Sequence, residues 1–183
     1  MTDLEPMTAL GATTARVENF GALTLRENDG LALASLTVRK GGARPGPMGL
    51  TLPDAGGWAE AGGWAAFWTG PDQWMFEASD RASDDVAAEL RAVCAGCSIT
   101  EQTDGFVCFE VTSADGPAPI SRMLEKLVNV DLAEFGAGRA TRTAFDHMAI
   151  FVIRRRENHL AIIGMRSAAE SLWHAIKTAA ARM

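Results

Sequence analysis

The clearest periodic signals lie in the second half of the chain. Apolar side chains recur at Ile120, Met123, Leu124, Leu127 and Val128, the spacing of one helical face. Pro117 stands at the start of that segment, where its missing N–H costs nothing. A second helical face is formed by Ala169, Leu172, Trp173, Ile176 and Ala180. Ser167 and Glu170 precede it at the spacing of a capping box, in which each side chain satisfies a free N–H. A shorter face at Val86, Leu90 and Val93 follows Ser83-Asp84-Asp85. Ser83 is its expected cap, the two aspartates suit the positive end of the helix dipole, and Gly96 ends it.

The intervening segments read as strands. Residues 148–153 are continuously apolar, as in a central strand, and turn through 154–158 into 160–163. Leu23 and Leu25 alternate with polar neighbours ahead of an Asn28-Asp29-Gly30 turn. Residues 31–38 follow as a second strand. Their apolar phase shifts from Leu31 and Leu33 to Leu36 and Val38, as a bulge would produce. Residues 64–68 and 74–77 flank the Gly70-Pro71-Asp72 turn, and Ile99 and 106–111 flank Asp104-Gly105. Residues 41–47 and 53–63 are Gly-, Pro- and Ala-rich and read as loops around a short extended piece at 48–52. Strand pairs joined by short turns and separated by helices predict an α+β fold with antiparallel sheets and helices packed on one side. The weakly periodic residues 1–20 read as a flexible N-terminal arm. Residues 21–183 then form a single α+β domain, which could divide into lobes at about 21–112 and 113–183.

At 183 residues and 48% hydrophobic, the chain can bury a full core without disulfides. Its three cysteines, an odd number with no secretory signal, argue against a disulfide framework. No apolar run approaches the ~20 residues of a membrane span, and the first ten residues carry acids rather than a basic cluster. The expected location is the cytoplasm, away from membranes. A net charge of -6 argues against non-specific nucleic-acid binding. The one basic run, Arg154-Arg155-Arg156, reads as an exposed hairpin turn, with docking onto an acidic partner as the other reading.

No catalytic motif is complete. Cys94 and Cys97 make a single pair at a helix end, where the dipole disfavours a thiolate; zinc needs four ligands. His147, His159 and His174 lack the spacing of a metal motif. Gly136-Ala137-Gly138 lacks the third glycine and the preceding strand of a dinucleotide fingerprint. Ser167 has the wrong neighbours for a nucleophile elbow, and nothing singles out one pair of carboxylates. Residues 68–74, Trp-Thr-Gly-Pro-Asp-Gln-Trp, are the most distinctive local string. They read as a tight turn packed by two indoles, with a base- or pterin-stacking surface as the alternative. No catalytic, cofactor-binding or metal residue is assigned.

Five strings in order carry a family resemblance: 68–74; 100–106, Thr-Glu-Gln-Thr-Asp-Gly-Phe; Asn129-Val130-Asp131-Leu132 with Phe135; Arg142-Thr143 with His147-Met148; and 165–173, Met-Arg-Ser-Ala-Ala-Glu-Ser-Leu-Trp. From Trp64 to the end the chain resembles the gamma subunit of heterotetrameric sarcosine oxidase. The resemblance implies a fold related to the folate-binding aminomethyltransferase of the glycine cleavage system. It implies alpha, beta and delta partner subunits. The complex would demethylate sarcosine oxidatively to glycine, passing the one-carbon unit to tetrahydrofolate or releasing formaldehyde, and reducing oxygen to hydrogen peroxide. It places FAD, FMN, NAD, zinc and tetrahydrofolate on the partners and no chemistry on the gamma chain. The equivalent subunit of an N-methylglutamate dehydrogenase complex, or a stand-alone folate-binding one-carbon module, are the alternatives. A subunit of this kind contributes surface, and interface anchors are enriched in Trp. Trp58, in a Gly-rich loop, and Trp64 after it are the expected partner contacts, with residues 45–64 and the arm ordering on a larger subunit. The other reading has Trp58 covering one end of the chain's own core.

Overall fold

The structure is a computed structural model and describes residues 5–182. Its strands are β1 (Val17–Phe20), β2 (Leu23–Asn28), β3 (Ala32–Val38), β4 (Trp58–Ala61), β5 (Trp64–Gly70) and β6 (Gln73–Ala78). Helix α1 (Val86–Val93) leads to β7 (Cys97–Glu101) and β8 (Phe106–Ser113). Helix α2 (Ala118–Leu127) precedes β9 (Arg139–Phe145), β10 (Met148–Arg156) and β11 (His159–Met165), and α3 (Ala169–Ala181) closes the order.

The strands form two antiparallel sheets, β1-β2-β8-β11-β10-β9 and β4-β5-β6-β3-β7. The sheets meet face to face over Leu33, Phe67, Met75, Ile153, Ala161 and Ile163. Helices α2 and α3 cover the outer face of the larger sheet around Phe109, Ile120, Met123 and Trp173. Helix α1 covers the outer face of the smaller one around Leu36, Phe76 and Leu90. Each sheet thus carries helices on one side, as the α+β reading expects. Strand alternation explains the arrangement: within β8, Phe109 and Val111 face the helices and Cys108 faces the other sheet. Fully burying a side chain such as Phe67, Phe76 or Phe109 contributes about 1.5–3 kcal/mol.

Several local expectations change. β3 pairs with β6 in unbroken register, so no bulge accounts for its apolar phase. The strand is instead buried on both faces: Leu33 lies between the sheets and Leu36 under α1. Asp85, not Ser83, caps α1, accepting from the Ala88 N–H at 2.8 Å. The capping box before α3 does not form. A 3₁₀ turn, Arg166–Ala168, leads into the helix, and Glu170 reaches across to Arg16 at 3.1 Å. The loop expected over 53–63 contains β4, and residues 48–52 hold no strand.

The segment read as a loose arm is tied down where it is described. β1 pairs with β2, Leu10 is buried beneath the larger sheet, and the Leu10 N–H donates to Glu27 Oε1 at 3.0 Å. Glu27, itself buried, also accepts from the Arg16 N–H at 3.3 Å. Residues 1–4 of that arm lie outside the described residues. A division near residue 112 does not match the sheets either. The larger sheet takes β1 and β2 from one side of that point and β9 to β11 from the other, with β8 running across it.

Candidate functional site

The layer between the sheets is apolar at one end and charged at the other. β6 places Glu77 two residues beyond Met75 on the inward face, and β8 places Glu110 two beyond Cys108. β10 delivers Arg155 two beyond Ile153, at a register shift in its pairing with β11. The guanidinium bridges the two carboxylates, at 2.5 Å from Glu77 and 3.2 Å from Glu110. His159 Nε2 lies 2.8 Å from the other oxygen of Glu110, and the Asn28 amide donates to Glu110 at 3.0 Å. The Trp58 indole N–H donates to Glu77 at 2.9 Å, with the Arg155 and Arg156 guanidinium groups 5.7 and 5.8 Å from its ring.

Burial and pairing decide the charge states. Glu77 is 2% exposed, and that burial pushes its carboxyl pKa up against the opposing pull of Arg155. Burial would raise Glu110 too, but the hydrogen bond from His159, the Arg155 charge and the Asn28 amide overcome it and hold the carboxyl at about 2. Arg155 remains a cation between two acids. The Arg155–Glu77 pair is the arm that crosses from one sheet to the other; Glu110, with Asn28 and His159 behind it, anchors Arg155 within the larger sheet, and Trp58 anchors Glu77 within the smaller one.

A cleft of about 580 Å³ opens at this charged end, lined among others by Arg26, Asn28, Asp80, Glu110, Arg156 and His159. Among the described residues no group of three His, Cys, Asp or Glu side chains is placed to hold a metal ion, and no helix is long and apolar enough to cross a membrane.

Trp58 and Trp64 are each 8% exposed. Trp58 packs between the sheets, and Trp64 packs on the α1 side with Arg81 over its ring. Both side chains lie in the chain's own core, which is the alternative reading of Trp58. Trp74 is buried and donates to the Pro53 carbonyl at 2.8 Å, and Trp68 is partly buried against the same core, so the hairpin packs around its indoles. Cys94 and Cys97 are buried, and burial pushes the Cys94 thiol up to about 11. His147 and His174 are exposed, and neither belongs to the charged network that holds His159. The arginine run is not an exposed turn: β10 continues through Arg156, and Arg154 is 3% exposed.

Sequence reasoning missed Glu77, Glu110 and Arg155. A signal was present. Glu77 follows Trp-Met-Phe and Glu110 follows Val-Cys-Phe, so each is a lone acid inside an apolar strand, on its alternating inward phase.

No protein-family model and no curated protein matches the chain. Among solved structures it is similar to the heterotetrameric sarcosine oxidase from Corynebacterium sp. U-96 in complex with pyrrole 2-carboxylate. That match has a TM-score of 0.74 and 23% identity, over 91% of this chain and 87% of that one. It is also similar to glycine cleavage system aminomethyltransferase T from Bartonella henselae, with a TM-score of 0.59 and 13% identity, over 82% of this chain. It spans only 44% of that aminomethyltransferase chain. The shared fold is that of aminomethyltransferase-like proteins.

Proposed function

We propose that this chain is a non-catalytic, gamma-type subunit of a sarcosine oxidase complex. One observation carries the reading: the fold matches a sarcosine oxidase chain over nearly the full length of both, but covers less than half of the aminomethyltransferase. The five ordered strings from Trp68 to Trp173 agree with it. In this reading alpha, beta and delta partners hold FAD, FMN, NAD, zinc and tetrahydrofolate. They oxidise the N-methyl C–N bond of sarcosine, release glycine, and pass electrons to oxygen. This chain supplies a rigid two-sheet body, and the Glu77–Arg155–Glu110–His159 network keeps its sheets in register. With Trp58 and Trp64 turned inward, we assign the partner contact expected of residues 45–64 to exposed neighbours such as Thr51, Asp54 and Ala55.

The test is affinity purification of the tagged chain from its native cells. Flavin absorbance and sarcosine-dependent peroxide formation should travel with it. Turnover of N-methylglutamate in place of sarcosine would assign the complex to the alternative dehydrogenase. Sarcosine oxidation by the purified chain alone would refute the non-catalytic role.

The likeness to the aminomethyltransferase favours one second reading, a stand-alone folate-binding one-carbon module. Titration of the isolated chain with a reduced folate separates the two. Saturation below millimolar, a binding free energy beyond roughly -4 kcal/mol, would favour the module.

A further inference from the structure

Strand β9 is an outer strand of the larger sheet, and only its first residues are covered. The Ala140 N–H donates to the Gly56 carbonyl at 3.0 Å, and the Trp58 N–H donates to the Gly138 carbonyl at 2.8 Å. The covering segment then turns away, closed by the Gly57 N–H donating to the Asp54 carbonyl at 2.9 Å. In an antiparallel ladder the backbone groups of successive residues point to alternate sides. The Ala140 groups point outward, so those of Arg142 and Ala144 do as well, while Thr141, Thr143 and Phe145 pair with β10. Beyond Ala140, the outward N–H and C=O groups of Arg142 and Ala144 have no backbone partner among the described residues. The register with β10 is unbroken and the strand holds no proline, so neither a bulge nor a proline blunts this edge.

The same two residues carry their side chains on the inward face of the sheet, in phase with Ala140, which is buried between the sheets. The smaller sheet does not cover this end of the face. Arg142, Ala144 and Ala149, which lies opposite Ala144, are exposed, and Met165 is 50% exposed. The Arg142 guanidinium lies 5.9 Å from the Phe151 ring and has no ion-pair partner among the described residues. The surface thus combines a free backbone edge, small apolar side chains beside it, and one unpaired cation. Arg139 and Arg142 are the only charged residues of β9, on a chain of net charge -6. An antiparallel second copy would bring the two Arg142 side chains onto one face of the added pair, where like charges repel. An acidic strand meets no such cost. We propose that the Arg142–Ala144 edge takes up an extended segment of another protein. Its backbone pairs with the outward groups of Arg142 and Ala144, an acidic side chain lies beside Arg142, and an apolar one lies on Ala144 and Ala149. The inference rests on the edge itself and does not depend on the subunit reading.

The experiment is an NMR titration of the isotope-labelled full chain with a short synthetic peptide of alternating valine and threonine around one central aspartate, and with its lysine counterpart. The aspartate peptide should saturate below about 1 mM and bind about fivefold or more tighter than the lysine peptide. The Arg142 and Ala144 amide signals should shift and become protected from exchange. Thr141 and Thr143, already paired with β10, should keep the protection they have. Ala144→Pro removes an outward N–H that β10 does not use, so it should leave melting unchanged and abolish peptide binding. Arg142→Glu should reverse the preference between the two peptides. Failure of the aspartate peptide to saturate, equal affinity for both peptides, or wild-type affinity in Ala144→Pro would overturn the proposal. So would a dimer of the chain alone with these two amides protected, which would give the edge to a second copy.

Discussion

Replacing Glu110 with Gln removes a buried charge and keeps the side chain's size. In the folded chain the carboxyl is held at about 2, against an ordinary value of 4.5. At 1.36 kcal/mol per pKa unit, that difference is worth about 3 kcal/mol of stability at neutral pH. The depressed folded value sets the direction. The contribution is fully present above the unfolded value of 4.5, and it is lost as pH falls from there towards 2. Glu77 acts in the opposite sense: burial raises its carboxyl and the Glu110 charge adds to the rise, so the variant relieves Glu77 and offsets a minor part of the loss. Urea denaturation of wild type and Glu110→Gln at pH 7 and pH 3 reads the difference. At pH 7 the variant should be less stable by about 3 kcal/mol, a midpoint shift of roughly 1–2 M. At pH 3 the gap should have narrowed to about half or less. A loss below about 1 kcal/mol at pH 7, or an equal gap at both pH values, would show that Glu110 does not stabilise the folded chain through Arg155 and His159 as described.

Other substitutions probe the layers separately. Trp58→Ala empties part of the inter-sheet core and strips Glu77 of a donor; it should cost about 3–5 kcal/mol in a thermal melt, and unchanged melting with lost assembly would return Trp58 to the partner surface. Gly164→Ala would place a Cβ 2.6 Å from Leu172 Cδ2 under α3, and should destabilise by about 1–3 kcal/mol in the same assay. Cys94, with its thiol near 11, should resist alkylation at pH 8 in the native state, where about a thousandth is thiolate, and react promptly in denaturant; mass spectrometry checks this.

The fold class was legible because each main helix and most inner strands carry their own period. Ile120 to Val128 and the 148–153 run depend on no distant residue for their pattern. What was not legible depended on tertiary context. β9 carries few apolar side chains and forms by pairing with β10; β4 is only four residues in a Gly-rich stretch. The phase change in β3 looked like a bulge because a strand buried on both faces has no single period. The charged site was hidden for a related reason. Glu77, Glu110 and Arg155 are separated by up to 78 residues and meet only when the two sheets stack. Arg155 was further disguised by its arginine neighbours, which suggested a solvated turn.

The most direct test of the proposed role is the composition and activity of what this chain purifies with. A tagged chain recovered from its native cells should elute with larger flavin-bearing subunits in fixed ratio, and the fraction should form hydrogen peroxide from sarcosine. Recovery of the chain alone, free of flavin and without sarcosine-dependent peroxide, would contradict it.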